Sequence, residues 1–587
     1  MNIQNLSILY SHPSYKMVIV SIISLISYIF LLSLIKTFFP KRTIPYSFLL
    51  LGFSILPIVS VLRKGSYESG DLNIHISRTM DFYNSLSQGI TIPRWAADLN
   101  ATYGYALFNF YYPLPYYISS IYHFLGFSFL NSIKLLLITT YISSGLFMFL
   151  WLKRHLPEKS AFLGSIFYLF APYHFVDMHY RASVGEMTAF TFLPLSFLLV
   201  DKVIKENNFI KFFLAGMSCA LLILSHPAIS ILGYGFLTIY ILFFYSDISF
   251  IKKSKAFIPL ILGILYSAFY WIPVIFEGKY VHQKIGELVL SFPTLAELLY
   301  SKWRYGLLFQ GPQGELTYLI GYAHLMIVIL AIYLFLKKKS NWKINFFTLS
   351  FFIFFFLIQK ISLPVWNNIP ILKKMLLPYR ILAIIVFIIS TLSAFVAEKM
   401  NSNILIYIIT TIAIGTTIIN WGNRKNTPQI KDDQIRSNLY FITAQEEGAW
   451  NAVSITRPPD QLWQNKLPKE NIESLGNDLK IIAKERKATK HSYLVNVYKS
   501  GLVKENTYYF PGWELKIDSI INNIIYNNKL YPGIITFYLN KGLHRIDLYF
   551  KDTPLRQYAN LTSAFSLLTS GMFLLFDSKF SKFNRKS

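Results

Sequence analysis

The chain has 587 residues, of which 53% are hydrophobic and only 15% charged, and its formal net charge is +26. A soluble domain keeps about a quarter of its residues charged, so a conventional soluble core is excluded. The basic excess lies mostly in short loops between apolar runs, where membrane orientation and anionic headgroups account for it better than nucleic acid does.

Taken in chain order, the first sixteen residues have neither a basic leader nor a small-residue cleavage site, so the first apolar run is expected to be retained as a span. Apolar runs long enough to cross hydrocarbon as helices then recur along the chain. Thirteen spanning helices are expected, at about 17–39, 46–62, 131–152, 160–177, 187–203, 209–225, 228–245, 257–276, 316–336, 344–361, 379–397, 403–420 and 559–577. Cys219, the one cysteine, falls inside such a run, which excludes a disulfide framework or a cysteine metal cluster within the chain.

Immediately after the second run comes GDLNIHISRTMDFYNSLSQG, residues 70–89. At helical spacing Asp71, His75 and Arg78 share one stripe, while Leu72, Ile76, Met80 and Tyr83 form another roughly 120° away. A helix lying in the membrane interface is expected, its apolar stripe toward lipid or protein. The polar stripe has two readings. It is either a solvated face that neutralises itself through salt bridges, or a site in which the carboxylate serves as general base or cation ligand and the guanidinium pairs with a phosphate.

The next stretch, FNFYYPLPYYISSIYHFLGF at 108–127, is rich in proline and tyrosine, which suits an interface better than hydrocarbon. It is expected not to cross, leaving 63–130 as one external loop. From residue 131 onward the basic loops at 153–159, 202–211, 252–255 and 337–343 and the tail after Asp577 fall on one side, read as the cytoplasm. The turn at 179–186, the loops 277–315 and 359–378 and the segment 421–557 fall on the other.

The outer turn APYHFVDMHYRASVGEMTAF, residues 171–190, brings His174, Asp177, His179, Arg181 and Glu186 to membrane depth, where ionisable groups are costly and default to function. Asp177 and Arg181, spaced i and i+4, can equally neutralise each other. His226 and Pro227 break another apolar run, and His226 reads either as a packed histidine or as a site group. Lys373, Lys374 and Arg380 in NIPILKKMLLPYR lie at the mouth of a span, as interfacial anchors or as a lipid-phosphate grip. No HExxH, CxxC or HxxxH pattern points to a tight metal site; a weakly held Mg²⁺ or Mn²⁺ is the remaining metal reading, with Asp71 as a ligand.

Beyond residue 421 the periodicity becomes alternating. Strands are expected at 492–499, 534–540 and 543–550, punctuated by turns at Pro511 and Gly512, Pro532 and Gly533, and Lys541 and Gly542. A small β-sandwich, β-rich from about 490, is expected before the last helix. It reads as a structural cap or as a carbohydrate-binding surface around Trp513.

The Asp71 helix, the YYPLPYY stretch, the APYHFVDMHYRASVGE turn followed by LPL, and the C-terminal YYFPGWELKID, LNKGLHRIDLYF and TPLRQYA together resemble the bacterial and archaeal membrane proteins named 6-pyruvoyl-tetrahydropterin synthase-related, although no residue pattern points to pterin chemistry. The C-terminal stretches are also similar to YfhO-type glycosyltransferases, and both groups are similar in layout to the C-type (GT-C) membrane glycosyltransferases. The resemblance implies a polyprenyl-phosphate-linked sugar as donor, an inverting transfer at the outer face, and an acidic catalytic or metal-binding residue in the first external loop, carried here onto Asp71. Gly70 stands where the pattern often has a second acid, and a span is added before that loop.

The expected molecule is therefore a polytopic α-helical, GT-C-like protein of a bacterial or archaeal cytoplasmic membrane. Residues 1–420 form the membrane module, 421–557 an extracytoplasmic domain, and 558–587 a final helix with a basic cytoplasmic tail. The expected activity is transfer of a sugar from a polyprenyl-phosphate carrier to a glycan, lipid or protein acceptor. Asp71 and Glu186 are the catalytic candidates, and Arg78, Arg181, Lys373, Lys374 and Arg380 the phosphate candidates. His75, His179, Asp177 and His226 complete the pocket. The alternatives are a transporter or flippase of a lipid-linked glycan, and a non-catalytic envelope assembly factor.

Overall fold

The computed structural model describes residues 13–583 except 68, 207, 246–247, 282–291, 301–316, 374, 376, 421–425, 428–430, 436–467, 475 and 477. Most of the expected loop 277–315, the first half of the segment 421–490, and Lys374 thus lie outside the described residues.

The helices in chain order are α1 (Pro13–Phe38), α2 (Tyr46–Ile58), α3 (Leu72–Ser87), α4 (Leu114–Phe124), α5 (Phe129–Leu152), α6 (Glu158–Leu169), α7 (Val184–Lys205), α8 (Phe209–Ser225), α9 (Pro227–Ile239), α10 (Phe250–Tyr266), α11 (Ala268–Phe276), α12 (Tyr322–Leu336), α13 (Trp342–Leu357), α14 (Leu382–Met400), α15 (Asn403–Asn420) and α16 (Pro554–Phe583). Four helical segments are long and apolar enough to cross a membrane: Phe129–Leu152, Val184–Lys205, Pro227–Phe244 and Pro378–Met400. Two further pairs pass only together: α10 with α11, bent by 67°, and α13 with the 360–368 helix, bent by 81°. Five shorter apolar helices, among them α2, α8 and α12, complete the bundle. Among the described residues, length and composition alone thus mark four spanning helices, or six if each bent pair is one span.

The differences have local causes. The run expected to cross at 160–177 stops at Leu169, because Pro172 holds Ala171 in an extended conformation (φ −69°, ψ 134°). The run at 257–276 breaks at Ser267. Helix α4, in the stretch expected not to cross, has only eleven residues, about 16 Å at 1.5 Å per residue against a hydrocarbon core of about 30 Å.

Helix α14 is the axis of the bundle: every residue from Leu382 to Ala397 is buried. It packs closely on α6 because Gly164 sits where a Cβ would meet Ser390 O at 2.8 Å, so only glycine allows the two backbones to approach.

After α2 a two-residue strand, β1 (Ser66–Tyr67), pairs antiparallel with β2 (Asn426–Thr427). The C-terminal strands begin earlier than the alternation in the sequence marks them. They are β3 (Ile472–Ser474), β4 (Leu479–Arg486), β5 (Lys490–Val497), β6 (Gly501–Tyr508), β7 (Trp513–Ile517), β8 (Ile520–Asn522), β9 (Ile534–Leu539) and β10 (Gly542–Phe550). They form a five-stranded sheet in the order β4-β5-β10-β7-β8 and a three-stranded sheet in the order β3-β6-β9. Inward residues of both sheets, such as Val495, Leu515 and Leu548 from one and Val503, Ile534 and Phe537 from the other, belong to one apolar cluster.

Trp513 is not a surface aromatic. It is buried against Trp95 (ring centroids 5.3 Å apart), Phe550 (5.4 Å) and His491 (5.0 Å), which overturns the carbohydrate-surface reading of that residue. In β7 its side chain points inward with that of Leu515, and the loop carrying Trp95 closes over it.

Candidate active site

The site begins with backbone pairing between two distant loops. Gly70 N donates to Tyr180 O and Asp71 N to Arg181 O, both at 2.9 Å, so the start of α3 is laid against the turn at 176–181. That turn, Val176–Arg181, is a π-helical turn closed by Ala182 in the left-handed region at φ 53°. Extra residues wound into a helix end of this kind re-aim side chains and recur at functional sites. Here the turn directs Asp177 and Arg181 back toward Glu186 at the start of α7.

Around Glu186 the result is a dense, buried ion-pair cluster. Arg181 Nη1 bridges Asp177 Oδ1 (2.8 Å) and Glu186 Oε1 (2.7 Å). Arg380 Nε, at the entrance to α14, lies 3.3 Å from the same Glu186 oxygen, and His226 Nε2 lies 3.9 Å from it. The other Glu186 oxygen accepts a 2.6 Å hydrogen bond from Tyr173 OH, and Tyr379 lies beside the Arg181 guanidinium at 5.5 Å. Glu186 and Asp177 are fully buried, and a carboxylate without a cation could not survive there.

Asp71 is different. As the residue preceding α3 it stands at an N-cap, where an aspartate normally accepts a backbone N–H, but its side chain makes no cap bond. Ser69 Oγ takes that role by accepting from Leu72 N at 3.0 Å. Among the described residues no cation pairs directly with the Asp71 carboxylate, and the side chain is partly exposed. Burial raises its carboxyl above the ordinary value, while Arg181, Arg78 and Arg380 pull it back.

Arg78 lies one helical turn beyond His75 on the α3 face turned to the site, its guanidinium 4.2 Å from the centre of the Tyr111 ring. The α3 polar stripe is buried rather than solvated: His75 and Arg78 are 2% and 5% exposed. His75 Nδ1 bonds Tyr116 OH at 3.0 Å, and burial together with the positive charge of Arg78 pushes the imidazole well below its usual range, so it is neutral.

The other candidates divide. His226 caps α9, accepting from Ile229 N through Nδ1, and turns its other nitrogen to Glu186, so it is both a packed histidine and a member of the cluster. His179 faces away, toward Ser60 Oγ at 3.3 Å. His174 accompanies Tyr168 O and stacks on Phe190 at 4.2 Å, outside the cluster. Arg380 joins the cluster, whereas Lys374 and the Lys373 side chain lie outside the described residues. The sequence reading missed Tyr111, Tyr112, Tyr116, Tyr173 and Tyr379. Tyr112 stacks with Tyr116 and faces His226 at 5.3 Å, so the YYPLPYY stretch lines this region instead of merely anchoring an interface.

The donor set does not suit a divalent cation. Among the described residues no group of three or more His, Cys, Asp or Glu is placed to hold one, and the carboxylates of Asp177 and Glu186 are engaged by Arg181 and Arg380. Three guanidinium groups favour an anion instead.

The fold and this cluster define a polytopic membrane protein with a buried, arginine-rich site at one end of its helical bundle. The model of the 6-pyruvoyl-tetrahydropterin synthase related domain, a membrane protein family, matches residues 108–422, more than half of the chain, and the protein belongs to that family. It is also 26% identical over 247 residues to an uncharacterized protein of Lactococcus lactis subsp. cremoris, an alignment that spans 40% of each chain. Among solved structures it is similar to the mycobacterial arabinofuranosyltransferase AftD, with a TM-score of 0.41 and 13% identity over 64% of this chain and 26% of AftD. It is likewise similar to the oligosaccharyltransferase AglB of Archaeoglobus fulgidus in complex with an inhibitory peptide and a dolichol-phosphate, with a TM-score of 0.40 and 12% identity over 65% of this chain and 56% of AglB.

Proposed function

We propose that the protein is a membrane glycosyltransferase that takes a sugar from a polyprenyl-phosphate carrier at the outer face of the membrane. In this reading the site, the loop 63–130 and the β sheets are extracytoplasmic, and the shorter apolar helices also cross. Asp71 takes the proton of the acceptor hydroxyl as that oxygen attacks the anomeric carbon, and the phosphate leaves with the bonding electron pair. Arg78 and Arg181 bind the leaving phosphate, with Arg380 behind them. Glu186 holds Arg181 and Arg380 in place rather than touching the acceptor, because both of its oxygens are already engaged.

A phosphate-linked sugar is already activated, so transfer needs only a positioned base and stabilisation of the departing charge. The observation that carries the reading is the Asp71 carboxylate, which does not cap its helix, pairs with no cation among the described residues and stands beside three arginines. The test uses the purified full-length protein with a radiolabelled polyprenyl-phosphate sugar, comparing wild type with Asp71→Asn. Transfer by wild type alone is expected. Equal product from both proteins removes Asp71 as base, and product from neither removes the class.

A further inference from the structure

A second polar network, outside the cluster around Glu186, ties the β sheets to the aromatic wall of the site. Arg556, fully buried at the start of α16, donates from Nε to Glu277 Oε2 at 2.9 Å and from Nη2 to Pro511 O at 2.8 Å, with Phe510 and Phe550 flanking its guanidinium. Glu277, at the end of α11, also accepts from Thr553 Oγ1 and from Asn109 Nδ2, both at 2.8 Å. The Asn109 carbonyl oxygen accepts from Arg94 Nη1 at 3.0 Å, and Arg94 is held in turn by Asp552 (3.0 Å) and Asn560 (2.7 Å). Asn109 precedes Tyr111, which carries Arg78, by two residues, and Tyr112, which faces His226, by three.

The same segment is strained a few residues upstream. Asn100, Ala101 and Thr102 are consecutive non-glycine residues in the left-handed region, at φ 58°, 54° and 66°. Each costs about 1–2 kcal/mol and persists only where surrounding contacts dictate it. Those contacts come from the β sheets: Arg486 Nη2 donates to Thr102 O at 2.8 Å, Tyr508 N to Tyr103 O at 3.0 Å, and Trp513 packs on Trp95.

We propose that the β sheets and the final helix clamp segment 94–112, with Glu277, Asn109 and Arg556 as positioning residues that set Tyr111 and Tyr112 against Arg78 and His226. This inference rests on the reading of the Arg78 and Arg181 region as the donor-phosphate site. Arg556 serves three acceptors from one rigid fork, which a lysine cannot do. Asn109 uses both ends of its amide, as donor to Glu277 and as acceptor from Arg94, so it translates the position of α16 into the position of the tyrosines.

The test is hydrogen exchange by mass spectrometry on the full-length protein in lipid nanodiscs, for wild type, Arg556→Lys and Asn109→Ala. The expected result is a rise of about tenfold in exchange over 105–117 with helix 382–400 unchanged. No rise in 105–117, or an equal rise in 382–400, overturns the proposal. Asn109→Ala keeps the Glu277–Arg556 pair, so it remains informative if Arg556→Lys does not fold. With the labelled donor, both variants are expected to raise KM several-fold at nearly constant kcat, whereas a fall in kcat at unchanged KM contradicts positioning. Wild type without any transfer activity sinks the glycosyltransferase reading and leaves the exchange result to decide the clamp on its own.

Discussion

Helix α7 carries a buried carboxylate near each end, and the two are treated in opposite ways. Asp201, fifteen residues or about 22 Å beyond Glu186, is saturated by Trp151 Nε1 (2.9 Å), His155 Nε2 (2.6 Å), Tyr240 OH (3.0 Å) and Tyr245 OH (2.8 Å). A π turn at Tyr240–Phe244 brings Tyr240 and Tyr245 to the same acid, as the turn at Val176–Arg181 brings Asp177 and Arg181 to Glu186. The same backbone device therefore serves two ends of one helix. At Asp201 aromatic donors and one histidine close the site and, among the described residues, no arginine pairs with the acid, which is what a structural lock requires. At Glu186 two arginines converge, a third stands nearby, and Asp71 has no cation paired with it among the described residues. An excess of cationic donors beside an unengaged acid is the mark of a place where something binds.

The comparison breaks most violently at Arg181. Arg181→Ala leaves Asp177 and Glu186 buried with one shared cation removed, a loss of about 3–5 kcal/mol. Thermal unfolding in detergent should show it as a large drop in midpoint, together with complete loss of transfer. A midpoint close to wild type means that the cluster does not depend on this residue for neutrality.

Asp71→Asn should separate stability from activity. Transfer is expected to fall by about 10²–10⁴-fold, the contribution of a positioned general base, with no loss of folding stability. Because burial raises the Asp71 carboxyl, the wild-type rate should lose activity on the acid side at a pH above that of a free aspartate. That acid limb should be absent from the residual activity of the variant, and its persistence assigns the titration to another group.

How much of this is legible in the sequence depends on which interactions are local. The Asp71, His75 and Arg78 stripe follows from helical spacing, and the strands at 490–497, 534–539 and 542–550 follow from alternation, because both are neighbour effects. The pairing of Gly70 and Asp71 with Tyr180 and Arg181 joins positions more than a hundred residues apart through main-chain atoms, which leave no residue signature. The π turns are equally silent, since an inserted residue changes the winding and not the composition. Arg380 was legible as a cation near a span mouth, but its convergence on Glu186 was not, and neither was the burial of Trp513 beneath a loop four hundred residues away. The 257–276 run reads as one straight span because hydropathy does not see a 67° bend at Ser267.

At the other end of α7, Asp201→Asn should cost about 1.5–3 kcal/mol, the range of hydrogen bonds to a charged group, since the carboxamide offers one acceptor where four donors converge. Transfer per folded molecule is expected to match wild type. A selective loss of rate without loss of stability would move this end of the helix from lock to site.

The smallest effect tests the comparison most directly. A carboxyl whose value is raised in the folded state costs folding stability while it is ionised. The cost is present above its folded value and absent below the unfolded value of about 3.9. Asp71→Asn removes it, so the variant should unfold at a temperature about 1–2 °C higher than wild type at pH 7, with the two curves merging as the pH falls toward about 3.5. Asp201→Asn, which weakens hydrogen bonds from four donors, should instead lower the midpoint. Matched signs at the two positions would mean that both acids are structural, and the difference between the ends of α7 would then have no bearing on catalysis.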